Sequence, residues 1–118
     1  MILTPKNVAG GGFIVEGFAK YTEGVVLEEM YGKGALWELN KASNDRYFKG
    51  RAFASTKEPP IYLEDGQNYL AYGKSSLVML SIRDLIGEEK LNKVLYTLTQ
   101  KHRQQHEYHV HTLEFLVE

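Results

Sequence analysis

Apolar residues recur along this chain mostly at intervals of three and four, the spacing of one helix face. Ile14, Phe18, Tyr21 and Val25 follow one another in that way. They predict an amphipathic helix that begins near Phe13 and stops at Gly32, a natural C-cap. Leu36, Leu39, Ala42 and Tyr47 predict a weaker helix over Ala35 to Tyr47. The stretch from Lys49 to Gly66 contains Pro59-Pro60 and Asp65-Gly66. Proline inside a helix loses a hydrogen bond and clashes with the preceding turn, so this stretch is expected to be an extended surface loop. Helicity resumes near Gln67 and runs to Ile86, with Gly87 as its cap. Glu88 and Glu89 then place negative charge on the next helix N-terminus, where the helix dipole favours it. Leu91, Val94, Leu95 and Leu98 give the clearest helical stripe, ending near His102. Arg103 to His111 reads as a polar link, and Thr112 as the N-cap of a last short helix carrying Leu113, Leu116 and Val117. Alternation of period two never lasts; Ile61-Tyr62-Leu63 is the best strand candidate. The fold class is therefore mainly α, a helical bundle with one long proline-containing loop. Residues 1–12, which end in three glycines, form a lead-in segment, and 13–118 form the helical part.

Composition narrows the function. The 118 residues suit one domain, and 43% hydrophobic with 25% charged residues is ordinary for a globular chain. Fourteen basic and fifteen acidic residues leave a net charge of −1. That is no field to gather nucleic acid or an anionic membrane, and no nucleic-acid partner is expected. No apolar run approaches the roughly 18 residues of a membrane-spanning helix, and the start lacks the charged-then-apolar pattern of a signal peptide. The absence of cysteine removes disulfides, thiolate zinc sites and thiol nucleophiles.

Four groups of residues invite a chemical reading. Glu16 stands early in the first helix, off its apolar stripe, with Ala19 and Glu23 on the same face; its plain role is a surface pair with Lys20 at i+4. Tyr72 precedes Gly73 and Lys74, and its hydroxyl could donate to an oxyanion or simply reach the surface from a core position. His102, His106, His109 and His111 cluster near the end. His106-Glu107-Tyr108-His109 is one residue short of the zincin spacing, so a solvated linker is the plain reading, with a metal-responsive linker as the weaker one. Arg46-Tyr47-Phe48-Lys49-Gly50-Arg51 interleaves basic and aromatic residues, a pattern some nucleic-acid binders use. In a chain of balanced charge it reads as a helix C-terminal charge cluster.

Taken together, several blocks resemble the aminopeptidase N-like zinc metallopeptidases, the gluzincins. Glu16-Gly17-Phe18-Ala19 with Tyr21 is similar to the block that holds the third zinc ligand of that family. Tyr72-Gly73-Lys74-Ser75-Ser76-Leu77-Val78-Met79 is similar to its Tyr-x-Lys-Gly block, with Ser75 in place of the usual glycine. Arg83 to Glu89 with Leu91-Asn92, and Thr112 to Leu116, resemble the helices that follow. Pro59-Pro60-Ile61-Tyr62 fits the bacterial branch in which the peptidase domain is linked to ABC-type permease segments. The resemblance runs from about Asn7 to the end of the chain.

The resemblance implies the C-terminal lobe of a thermolysin-like catalytic domain. It implies Glu16 as a zinc ligand and Tyr72 as the catalytic donor to the oxyanion; helix-face geometry alone, not the resemblance, adds Glu23 as a carboxylate supporting Glu16. Zinc and a peptide substrate belong to the intact parent. The His-Glu-x-x-His helix, with two ligands and the general base, does not occur in this sequence, and family spacing sets it just before Met1. The chain is thus expected to be a piece of a catalytic domain. Alone it is expected to be inactive and to bind no zinc, because one ligand of three holds the metal poorly. Its partner would be the remainder of its own catalytic domain, and uncovered apolar area would drive homo-oligomers of the isolated piece. The permease-linked branch implies a membrane-associated parent, with this segment itself soluble. The alternative is a non-catalytic helical interaction module on a degenerate peptidase scaffold.

Overall fold

A computed structural model describes residues 10–64 and 66–102. Four α-helices account for most of them: α1 (Phe18–Tyr31), α2 (Lys33–Phe53), α3 (Ser75–Ile86) and α4 (Glu88–His102). Two are entered through π-helical segments, Phe13–Gly17 ahead of α1 and Tyr69–Lys74 ahead of α3. Among the described residues there is no strand. No helix among them is long and apolar enough to cross a membrane.

The core is built where the periodic residues meet. Phe13, Ile14, Phe18 and Tyr21 from the first helical run face Met79 of α3 and Leu91, Leu95 and Leu98 of α4, all buried. Full burial of such side chains contributes about 1.5–3 kcal/mol each, upper estimates against a fully extended chain. Phe13 and Phe18 meet edge to face, with ring centres 5.8 Å apart. Polar ties run along the margin of this core: the Tyr21 hydroxyl donates to Asn92 Oδ1 at 2.9 Å. Arg83 of α3 reaches Glu28 of α1 at 2.7 Å. Gly32 and Gly87 end α1 and α3 with φ of 86° and 88°. Each donates its N–H to the carbonyl four residues back, at 2.8 Å, as the C-cap reading expects.

Helix α2 is different in kind. Ser43 is its one buried residue, and it lies on the rest of the molecule through close glycine contacts. Leu36 and Leu39 fold over Gly24 of α1. The Ser43–Tyr47 backbone lies against Gly73, where an added Cβ would stand 3.0 Å from the Tyr47 nitrogen. Two expectations are corrected here. The weak helix does not stop at Tyr47 but continues to Phe53, because Gly50 lets its last turns pass directly over Tyr69. The extended loop is correspondingly shorter. Ile61-Tyr62-Leu63 is a 3₁₀ turn rather than a strand; a strand needs a partner to satisfy its backbone, and among the described residues there is no other strand. The polar link from Arg103 and the last short helix at Thr112 fall outside the described residues.

The three glycines of the lead-in close against the loop. The Gly10 N–H donates to the Glu64 carbonyl at 2.8 Å, and the Gly12 N–H donates to the Glu64 carboxylate. That carboxylate also accepts the Gly66 N–H at 2.9 Å. Glu64 is 1% exposed. It caps the start of the first helical run from a point far away in sequence, satisfying N–H groups that a helix start leaves unpaired.

Candidate functional site

The two π-helical segments pack against each other, and this contact brings the motif residues together. Single-turn π-helices inside α-helices are rare and occur often at functional sites. Here one contains Glu16 and the other Tyr72. The segments approach closely because Gly17 carries no side chain: a Cβ there would lie 2.9 Å from the Ser75 Cβ. Ser75 is fully buried, and its hydroxyl donates to the Leu70 carbonyl at 2.8 Å. It thereby holds the turn that carries Tyr72. A serine in place of the glycine resembled above is accommodated, at the price of requiring glycine at position 17.

The Glu16 carboxylate lies near enough to Tyr72 to act on its hydroxyl: hydrogen bonding to Glu16 and the Glu16 charge raise the phenol above its ordinary 10.0, desolvation adds to the rise, and Arg46 works against it. The Arg46 guanidinium lies 5.5 Å from the centre of the Tyr72 ring, a cation–π distance. The phenol therefore keeps its proton at neutral pH and can act as a hydrogen-bond donor. Three chain regions thus converge: the start of the first helical run, the middle of α2 and the π-turn before α3.

Glu23 sits elsewhere on α1, where its carboxylate accepts a hydrogen bond from Lys20 at 2.7 Å. The Lys20 ammonium goes to Glu23 at i+3 instead of to Glu16 at i+4, so the plain surface pair expected for Glu16 does not form. His102 closes α4; His106, His109 and His111 lie outside the described residues. Among the described residues no group of three or more His, Asp or Glu side chains could hold a metal ion. Glu16 is a single carboxylate with a tyrosine beside it, and these residues by themselves do not make a zinc site.

Sequence reading missed a second cluster close by. Glu58, in the loop after α2, accepts the Tyr47 hydroxyl through both carboxylate oxygens at 3.0 and 2.8 Å. It also pairs with Lys74 and lies 3.5 Å from Arg51. Burial opposes its ionisation, but the hydrogen bonds from Lys74 and Tyr47 outweigh that and hold its carboxyl below the ordinary 4.5. The basic-aromatic stretch around Arg46 was the available signal. Arg46 enters one of these clusters, and Tyr47 and Arg51 enter the other. Compared with protein-family models, characterised proteins and solved structures, the chain matches none.

Proposed function

We propose that this chain contributes part of the active site of a gluzincin-type zinc aminopeptidase, Glu16 as a metal ligand and Tyr72 as the oxyanion donor. On this reading the 118 residues alone are inactive. The observation that supports it is the convergence of Glu16 and Tyr72 where the two π-helical segments pack together. Each was singled out by its own sequence block, and they lie 56 positions apart in the chain. A neutral tyrosine hydroxyl of this kind can stabilise a developing oxyanion by donating a hydrogen bond to it. The mainly helical architecture is compatible with the C-terminal lobe of a thermolysin-like domain. Zinc, the histidine ligands and the general base would come from a His-Glu-x-x-His helix of the parent protein, and the substrate would be a peptide. The remainder of that domain would cover this segment, and the permease-linked branch would place the parent at a membrane.

A second reading, a non-catalytic interaction module, draws support from large apolar side chains left exposed: Trp37 at 74% and Phe53 at 89% on α2, and Leu85 at 84% on α3. The same residues support self-association of the isolated chain, which light scattering at high concentration would register as a mass above the monomer. The sequence encoded directly upstream of Met1 separates the two readings. A His-Glu-x-x-His segment at family spacing is expected; a continuous coding sequence without one removes the peptidase reading and leaves the module.

A further inference from the structure

A cavity of about 500 Å³ opens between the end of α2, the loop after it and the second π-helical segment. Neither Glu16 nor Tyr72 lines it. Its walls include Tyr47, Arg51, Lys57, Glu58, Tyr69 and Lys74. We propose that this cavity binds a small organic anion, of which an aryl carboxylate is the class it fits.

Size, surface and charge all bear on this. The volume falls in the range of small-molecule sites, roughly 300–1,000 Å³. The Tyr47 and Tyr69 rings lie with centres 6.3 Å apart and planes inclined by 31°. They make an aromatic wall on which a flat apolar body can lie. Three cations and one carboxylate line the space, a local excess of positive charge in a chain whose net charge is −1. The single carboxylate is already matched: Glu58 takes Lys74 and the Tyr47 hydroxyl. Lys74 also sits 5.8 Å from the centre of the Tyr47 ring, a cation–π distance that helps hold that ring in place. Two cations remain at the margin. Arg51 approaches Glu58 only to 3.5 Å, with its side chain 61% exposed. Lys57 is exposed and forms no ion pair with any described residue. A guanidinium presents a planar fork that matches a carboxylate, and a flat ring joined to that carboxylate reaches the tyrosine wall. Inorganic phosphate would satisfy the cations but leave the wall unused. A cationic ligand would meet the excess of like charge.

The test is a titration of the isotopically labelled 118-residue chain at pH 7, followed by amide NMR shifts, with three probes: benzoate, benzyl alcohol and inorganic phosphate. Benzoate is expected to shift the Tyr69 and Lys74 amides saturably. The neutral alcohol and phosphate should each need at least about tenfold more ligand for the same effect. Joint substitution Arg51→Ala with Lys57→Ala should weaken benzoate by about tenfold or more while the circular dichroism spectrum stays unchanged. Lys57→Ala alone, at a side chain with no ion pair, should weaken it by a few-fold and covers the case in which losing Arg51 loosens the Glu58 cluster. Equal affinity for benzoate and benzyl alcohol would overturn the proposal, as would equal affinity for benzoate and phosphate. So would benzoate affinity unchanged in Lys57→Ala, or shifts that never localise to Tyr69 and Lys74.

Discussion

Two glutamate–tyrosine–cation clusters stand side by side in this molecule, built from nearly the same pieces. Arg46 and Tyr47 are neighbours on α2, and Tyr72 and Lys74 are near neighbours on one π-helical segment. In one cluster Glu58 accepts the Tyr47 hydroxyl and pairs with Lys74, with Arg51 at its edge. In the other Glu16 meets the Tyr72 hydroxyl, and Arg46 lies on the ring face, not on the carboxylate. The Glu58 carboxylate is saturated, and a saturated polar cluster on a helix seam fixes that seam. Among the described residues Glu16 forms no ion pair, which leaves lone pairs on its oxygens for another ligand. The same residue types thus make a structural fastening in one place and a candidate functional group in the other. What separates them is how many donors each carboxylate has been given.

The comparison can be attacked from its foundations outward. Phe18→Ala opens a cavity in the core that Phe18 shares with Phe13, Met79 and Leu91 and should lower stability by about 3–5 kcal/mol in urea unfolding. Gly73→Ala comes next. Its Cβ would press on the Ser43–Tyr47 backbone at 3.0–3.2 Å, and backbone gives way less than a side-chain tip. A loss of about 1–3 kcal/mol is expected, with the tyrosine environments of both clusters changed in near-ultraviolet circular dichroism.

Glu58→Gln acts on one cluster alone and should lower stability at pH 7 by about 1–2 kcal/mol. Its pH dependence has a definite sign. The folded Glu58 carboxyl lies below 4.5, so its contribution is complete above that value and fades as pH falls through the folded pKa. Wild type and Glu58→Gln should therefore converge in stability as the pH drops from about 4.5 toward acid denaturation. A gap that stays constant with pH would mean that Glu58 acts through shape rather than charge. Glu28 loses its contribution over the same window, because its hydrogen bond with Arg83 holds it below 4.5 as well. Smallest of all should be Glu16→Gln, expected within about 0.5 kcal/mol of wild type. A loss as large as that of Glu58→Gln would make Glu16 a second fastening and end the distinction between the clusters.

The order of helices was readable because glycine caps and three-four spacing are local signals. Gly32 and Gly87 end their helices where expected, and Leu91, Leu95 and Leu98 enter the core. The extension of α2 to Phe53 was not readable, since the apolar residues of its last turns, Phe48 and Phe53, stay exposed and those turns rest on the Gly50–Tyr69 contact. Nor was the capping role of Glu64, a buried carboxylate whose Gly10 and Gly12 partners precede it by more than fifty positions. The sequence pattern around residues 13–25 fits a plain α-helix, and the π register at Phe13–Gly17 depends on packing against a distant segment. Glu16 and Tyr72 were singled out by resemblance. Their approach to each other, and Arg46 on the ring face, come only from the fold.

The central claim, that Glu16 and Tyr72 belong to one zinc peptidase site, is tested most directly by an aminopeptidase assay. The 118-residue chain and the chain extended through its upstream coding sequence would be compared with and without zinc. The extended protein should release amino acids from peptides only with zinc, and the 118 residues alone should release none. In the extended protein Tyr72→Phe should lower kcat by about 10²–10³, and Glu16→Gln should sharply weaken zinc binding. Robust zinc-dependent hydrolysis by the 118 residues alone, or an extended enzyme indifferent to both substitutions, would contradict the claim.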